Sequence, residues 1–162
     1  MRLKLYVFFI ISCSLTFSPN GLHASDLKKL VEVVTIKSTF EDVKERVIFA
    51  VESQGLVVDH TSDVGGMLAR TGKDLGGSQV VYGDAVVLEF CSALYSRRMA
   101  KFSPDLLAFC PYAISVYTLY GQPETTFVAF KRIARGVTNK ETREVLQQID
   151  DLLMVIVEEA AL

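Results

Sequence analysis

Histidine is nearly missing from this chain. There are two, and only His60 lies beyond the first 24 residues. One histidine without a local nucleophile signature does not make a Ser–His–Asp set. Cysteine is also sparse, limited to Cys13, Cys91 and Cys110. No two of them form the Cys-x-x-Cys spacing that activates a redox thiol. Zinc usually takes four ligands, and two cysteines plus His60 fall short. There is no basic excess: 17 Lys and Arg stand against 19 Asp and Glu, a net charge of −2. A nucleic-acid partner normally asks for a basic face, so none is expected. Past the N-terminal region no apolar run reaches the length of a membrane span. Internal repeats, low-complexity tracts and linkers are absent as well. The glycine-rich stretch from Gly65 to Gln79 carries no phosphate motif. Five residues separate Gly66 from Gly72, and Asp74 follows Lys73 where a hydroxyl is needed. It reads as a mobile surface loop, and no cofactor is expected.

What is present begins with an export signal. Arg2 and Lys4 form a positive start, Leu5 to Phe17 an apolar core, and Pro19-Asn20-Gly21 a break before Leu22-His23-Ala24. Cleavage is expected after Ala24, giving a signal peptide over 1–24 and one α+β domain over 25–162. Losing Arg2 and Lys4 leaves 15 basic against 19 acidic residues, a net charge of −4. The alternative is a lipobox at Ile10-Ile11-Ser12-Cys13, with acylated Cys13 holding an envelope lipoprotein on the membrane. Periplasmic or secreted localisation is the main expectation.

Leu30 to Lys37 is rich in β-branched residues and reads as a strand. Ser38-Thr39-Phe40-Glu41 is a capping box, followed by Val43, Val47, Ile48 and Val51 at helical spacing, with Gly55 ending the helix. A second strand starts at Leu56-Val57-Val58. Val80 to Phe90 is a third, with Val86, Leu88 and Phe90 on one face and Val87, Glu89 and Cys91 on the other. Ser92 caps a short helix that stops at Ser103-Pro104. Tyr112 to Tyr120 and Thr125 to Ile133 make a hairpin about Gly121. Thr138-Asn139-Lys140-Glu141 opens a last helix whose stripe is Val145, Ile149, Leu152, Leu153 and Ile156. The adjacent pairs Asp150-Asp151 and Glu158-Glu159 read as its solvated face.

The expected fold is therefore α+β: an antiparallel sheet of about five strands covered by two long helices, with a short helix between strands three and four. Cys91 ends the third strand and Cys110 precedes the fourth. In antiparallel strands both sit at one end of the sheet, close enough to bond. An oxidising compartment favours a structural disulfide; buried thiols, a redox pair or metal ligands are the alternatives. The candidate binding cleft beside them comprises Glu89, Tyr95, Arg97 and Tyr112. Tyrosines on strands are ordinarily core, and an arginine on a short helix is ordinarily solvated. An anion or a carboxylate such as Glu89 is the functional alternative for Arg97.

Phe90-Cys91-Ser92-Ala93, then Ser96-Arg97, then Phe109-Cys110-Pro111-Tyr112 before an alternating strand, resembles the family described as domain of unknown function 302. The likeness takes in the first capped helix, Gly55 to Val58, the His60 segment and the hairpin. Members commonly carry Cys-Asn-Pro and Pro-Cys-Asn where this chain has Cys91-Ser92-Ala93 and Cys110-Pro111-Tyr112, which looks like an exported subgroup. The resemblance implies a strand–helix–strands–helix sandwich similar to half of the TATA-box-binding-protein fold, with no DNA-binding implication. It implies no activity. The functional expectation is an exported, non-enzymatic binding or interaction module, its partner a small ligand or a protein, with homo-oligomers included. The alternative is a thiol–disulfide redox or metal-linked protein using Cys91 and Cys110.

Overall fold

The computed structural model of the chain describes residues 29–72, 74–77 and 79–162. The expected signal segment, its cut after Ala24 and the Cys13 alternative lie outside them. From Val31 on, the described residues form these elements in order: β1 (Val31–Ile36), α1 (Phe40–Ser53), β2 (Val58–Asp63), α2 (Val64–Thr71), β3 (Tyr82–Phe90), α3 (Ala93–Phe102), a 3₁₀ segment (Pro104–Phe109), β4 (Tyr112–Leu119), β5 (Thr126–Lys131) and α4 (Lys140–Ala160). The strands form one sheet in the order β1-β5-β4-β3-β2, with every neighbouring pair antiparallel.

Alternation along the strands decides which residues meet the helices. In β4, Tyr112, Ile114, Val116 and Thr118 are buried and the residues between them are half-exposed. Register places Leu88 beside Ile114 and Val86 beside Val116, and Val128 and Phe130 on the far side. Against this face lie Val43, Val47, Ala50 and Val51 of α1, with Leu146, Ile149, Leu153, Ile156 and Val157 of α4. Each fully buried aliphatic side chain contributes about 1.5–3 kcal/mol of transfer free energy. Of the stripes expected from sequence, Val43, Val47, Val51, Val145, Ile149, Leu153 and Ile156 are buried, while Ile48 and Leu152 are half-buried.

Helix starts differ from expectation by one residue. The Thr39 hydroxyl accepts the Asp42 N–H at 3.4 Å, and the Asn139 side chain accepts the Thr142 N–H at 2.9 Å. Ser38 has other work: its hydroxyl meets the Asp42 carboxylate, and its carbonyl accepts the Thr126 hydroxyl at 2.8 Å. Gly55 and Gly121 take positive φ, as a helix end and a hairpin turn require.

Two expectations fail. The stretch beginning at Gly65 is not wholly a loop, since Val64–Thr71 is helical. Asp63 accepts the Gly66 N–H at 2.7 Å and supplies the cap, offsetting the poor helix propensity of two adjacent glycines. Gly65 is small because a Cβ there would lie 2.8 Å from the Ala85 backbone nitrogen. Asp150 is not solvated either. It is 4% exposed, and its carboxylate accepts the N–H groups of Ile133 at 2.8 Å and Ala134 at 3.1 Å. Burial raises its pKa; the two backbone bonds and Arg132 only partly oppose that.

Candidate functional site

The end of β3 and the start of β4 form a corner. Phe90 pairs with Tyr112 in the ladder, and their rings meet edge to face at 6.2 Å. One residue beyond Phe90, Cys91 bonds to Cys110 with the Cα atoms 6.3 Å apart. The excursion between the cysteines is α3 plus the 3₁₀ segment. Ser92 caps α3, the buried Met99 anchors it, and Arg98 donates to Gln148 of α4 at 2.7 Å. Both cysteines are half-exposed, and the Ser96 hydroxyl is 3.8 Å from the Cys110 sulfur.

The four expected cleft residues disperse around this corner. Tyr112 points into the covered face and is 3% exposed. Its hydroxyl meets no hydrogen-bond partner among the described residues. Burial raises the phenol's pKa, tempered by the nearby Ser96 hydroxyl, which falls short of hydrogen-bond geometry. Tyr95 is half-buried, with the Arg98 guanidinium 5.7 Å from its ring centre. Arg97 is exposed. Glu89 lies opposite Ala113, so it projects from the other face of the sheet and does not share a cleft with Tyr112. A small cleft of about 60 Å³ does open beside Tyr112, lined by Phe109, Pro111, Lys131, Ile133 and Leu153 among others. A wider hollow of about 540 Å³ lies by Lys37, Ser38, Asp42 and Arg46. Several of its polar groups are engaged, Lys37 with Thr125, and Ser38 and Arg46 both with Asp42, while the Arg46 Nε is buried without a partner among the described residues.

The second face of the sheet is more ordered than its sequence suggests. Among the described residues no long helix covers it; α2 abuts β3, with Gly65 against Ala85. Register sorts its side chains into rows. Thr35, Phe127, Tyr117 and Ala85 form one. Tyr117 stacks on Phe127 at 5.2 Å and 15°, and Tyr82 meets Tyr117 edge-on at 5.4 Å. All three rings are half-exposed. Partial burial, then the neighbouring Tyr82, raises the Tyr117 pKa. The middle row is small: Val33, Ala129, Ser115, Val87 and Ser62. At the other side stand the ionisable groups Lys131, paired with Val31, and Glu89, flanked by Ala113 and His60. Sequence reasoning missed this arrangement. The alternation along each strand was visible, but rows appear only once the register between strands is known.

Among the described residues no three His, Cys, Asp or Glu side chains gather as a metal set, and no helix is long and apolar enough to cross a membrane.

A family model described as "Domain of unknown function DUF302" matches residues 32–160. No curated protein matches the chain. Among solved structures, the chain is similar to an uncharacterized conserved DUF302 protein from Bacillus stearothermophilus, at a TM-score of 0.67 and 17% identity, over 80% of this chain and 97% of that one. That identity carries the fold alone. The match spans both cysteine signatures, the capped helices and all five strands; the chain belongs to the DUF302 family.

Proposed function

We propose that the protein is an exported, non-enzymatic binding module whose ligand is a small, flat, apolar organic molecule bearing an anionic group. The observation behind this reading is the open sheet face. A floor of small side chains, Ala129, Ser115 and Val87, lies between the Tyr82–Tyr117–Phe127 rings and the ionisable row of Lys131, Glu89 and His60. Aromatic faces favour offset stacking with a planar partner, small residues let it approach the backbone, and Lys131 offers a cation at the rim. Exposed apolar surface of this kind is a general mark of an interaction site. The probe is anilinonaphthalene sulfonate, planar and anionic. Saturable binding to the folded protein is expected, weakened about tenfold or more by Tyr117→Ala, the loss of a stacking contact worth about 1.4 kcal/mol. Binding indifferent to Tyr117→Ala and Lys131→Ala at unchanged near-ultraviolet dichroism would sink the reading. Export itself is checked by the mass of the processed chain, expected to begin at Ser25; an acylated Cys13 would favour the lipoprotein.

A second reading makes Cys91–Cys110 a redox couple. It is favoured by the half-exposure of both cysteine residues and by the Ser96 hydroxyl beside Cys110. Equilibration with glutathione or dithiothreitol separates the two: a potential below about −300 mV marks a structural bridge, a higher one a couple that works.

A further inference from the structure

The sheet has two edges, and they are built differently. β2 reads VDHTSD and carries Asp59, His60 and Asp63. Its register shifts between Val58 and His60, and α2 leaves its end to lie beside β3. Charges and a bulge are devices that blunt an edge against further pairing. β1 reads VEVVTI, and among the described residues it has neither a bulge nor an unpaired charge. Its one charge, Glu32, is bound by Arg132 of the same chain, and its register with β5 runs unbroken from Val31 to Ile36.

The direction of its free groups follows from the ladder. The Arg132 N–H donates to the Leu30 carbonyl at 2.8 Å, so Leu30 and Arg132 oppose each other as a hydrogen-bonded pair. In an antiparallel ladder such pairs recur at every second residue. Glu32, Val34 and Ile36 therefore direct their backbone groups toward β5. Val31, Val33 and Thr35 turn theirs outward, where no described strand receives them. Val33 is 47% exposed, and Thr35 is exposed too.

We propose that β1 pairs with β1 of a second copy of this chain, antiparallel about a twofold axis at Val33. Val33 then opposes Val33, and Val31 opposes Thr35 in both directions. Every outward-facing residue of the strand makes both its backbone bonds, and each side chain stays on its own face of the joined sheet. A twofold one residue further on, at Val34, would set Val31 against Lys37, outside the strand. The edge is thus its own complement, as a closed twofold interface requires. Glu32 falls opposite Val34, so no like charges meet within the strand. Pairing with the β2 edge of another copy would instead meet Asp59, Asp63 and the register shift. The joined sheet also makes the small-residue row continuous across the axis, from Ser62 of one copy to Ser62 of the other. The pairing does not depend on the ligand reading above.

The test is the mass of the processed protein by sedimentation equilibrium over a wide concentration range, for the parent and for Val33→Pro. The Val33 N–H is not used by β5, so proline there removes an outward donor while sparing the protein's own ladder. The parent is expected to be dimeric. Val33→Pro should weaken the dimer about tenfold or more, from two lost hydrogen bonds per interface, with unchanged circular dichroism. As a second check, Val33→Cys should form a covalent dimer under mild oxidation. A monomeric parent at all concentrations would overturn the proposal. So would a dimer that Val33→Pro leaves intact, or assemblies that keep growing with concentration, which signify head-to-tail contact. In the parent, a dimer that shows no saturable dye binding would strike the ligand reading alone.

Discussion

The two faces of the sheet are drawn from the same strands, residue by residue in alternation, yet they are built to opposite rules. On the covered face Leu88, Ile114, Val116 and Val128 are fully buried against α1 and α4. On the open face their immediate neighbours are small, aromatic and ionisable residues, half-exposed except for the buried Ala129. A sheet that faces helices on one side alone shows this pattern. One face carries stability, and the other is free to vary in chemistry without unfolding the molecule.

Substitutions can break that comparison, beginning where the effect is largest. Ile149→Ala removes a fully buried side chain of α4 and should cost about 2–5 kcal/mol in chemical denaturation. Val33→Ala on the open face should stay within about 0.5 kcal/mol. Equal costs would mean that the faces are not distinct. Replacing both Cys91 and Cys110 by Ser opens a loop of 19 residues' separation and should cost about 3 kcal/mol in the chain-entropy model; thiol labelling of the denatured, unreduced parent should find neither cysteine free. Asp150→Ala leaves the Ile133 and Ala134 N–H groups unpaired under a closed surface. About 2 kcal/mol is expected from general costs of 1–3 for each such group, and a loss below about 0.5 kcal/mol would show that solvent reaches them.

Acid and alkali sharpen the contrast by smaller amounts. The Asp150 pKa is raised above 3.8, so the folded chain keeps a proton that the unfolded chain releases. Its contribution to stability is greatest below that value and is lost as pH rises through the folded pKa. Asp150→Asn should flatten this part of the stability profile. Tyr112 and Tyr117 are both raised above 10. The same sign holds: above pH 10 the unfolded chain gives up protons that the folded one retains, and stability falls. Phenolate absorbance should show Tyr112 and Tyr117 ionising only above the usual phenol range; ionisation of both within that range would contradict their burial.

Much of the covered face was legible in the sequence because it depends on spacing alone. Val86, Leu88 and Phe90 at period two, and Val145, Ile149 and Leu153 at helical period, are statements about one element at a time. The cysteines were legible because both flank strand ends. Three features escaped for physical reasons. The α2 helix carries two glycines in its first turn and relies on a cap from Asp63, at the end of the preceding strand. Asp150 sits beside a truly solvated Asp151, and only the path of the chain after β5 explains its burial. The rows of the open face, and the separation of Glu89 from Tyr112, require cross-strand register, which turns on one-residue differences that composition does not carry.

The strand order has a consequence for how the molecule comes into being. β1 is made early, but its sole described partner, β5, lies about a hundred residues later, with Val31 opposite Lys131. The β3-β4-β5 meander can assemble from near neighbours, whereas β1 must wait until almost the whole chain is available. Long-range pairing of this kind slows folding and leaves unpaired strand edges exposed in the meantime. A chain that crosses a membrane unfolded and starting end first would deliver β1 before its partner. The most apolar edge of the protein is thus also the one that spends longest alone.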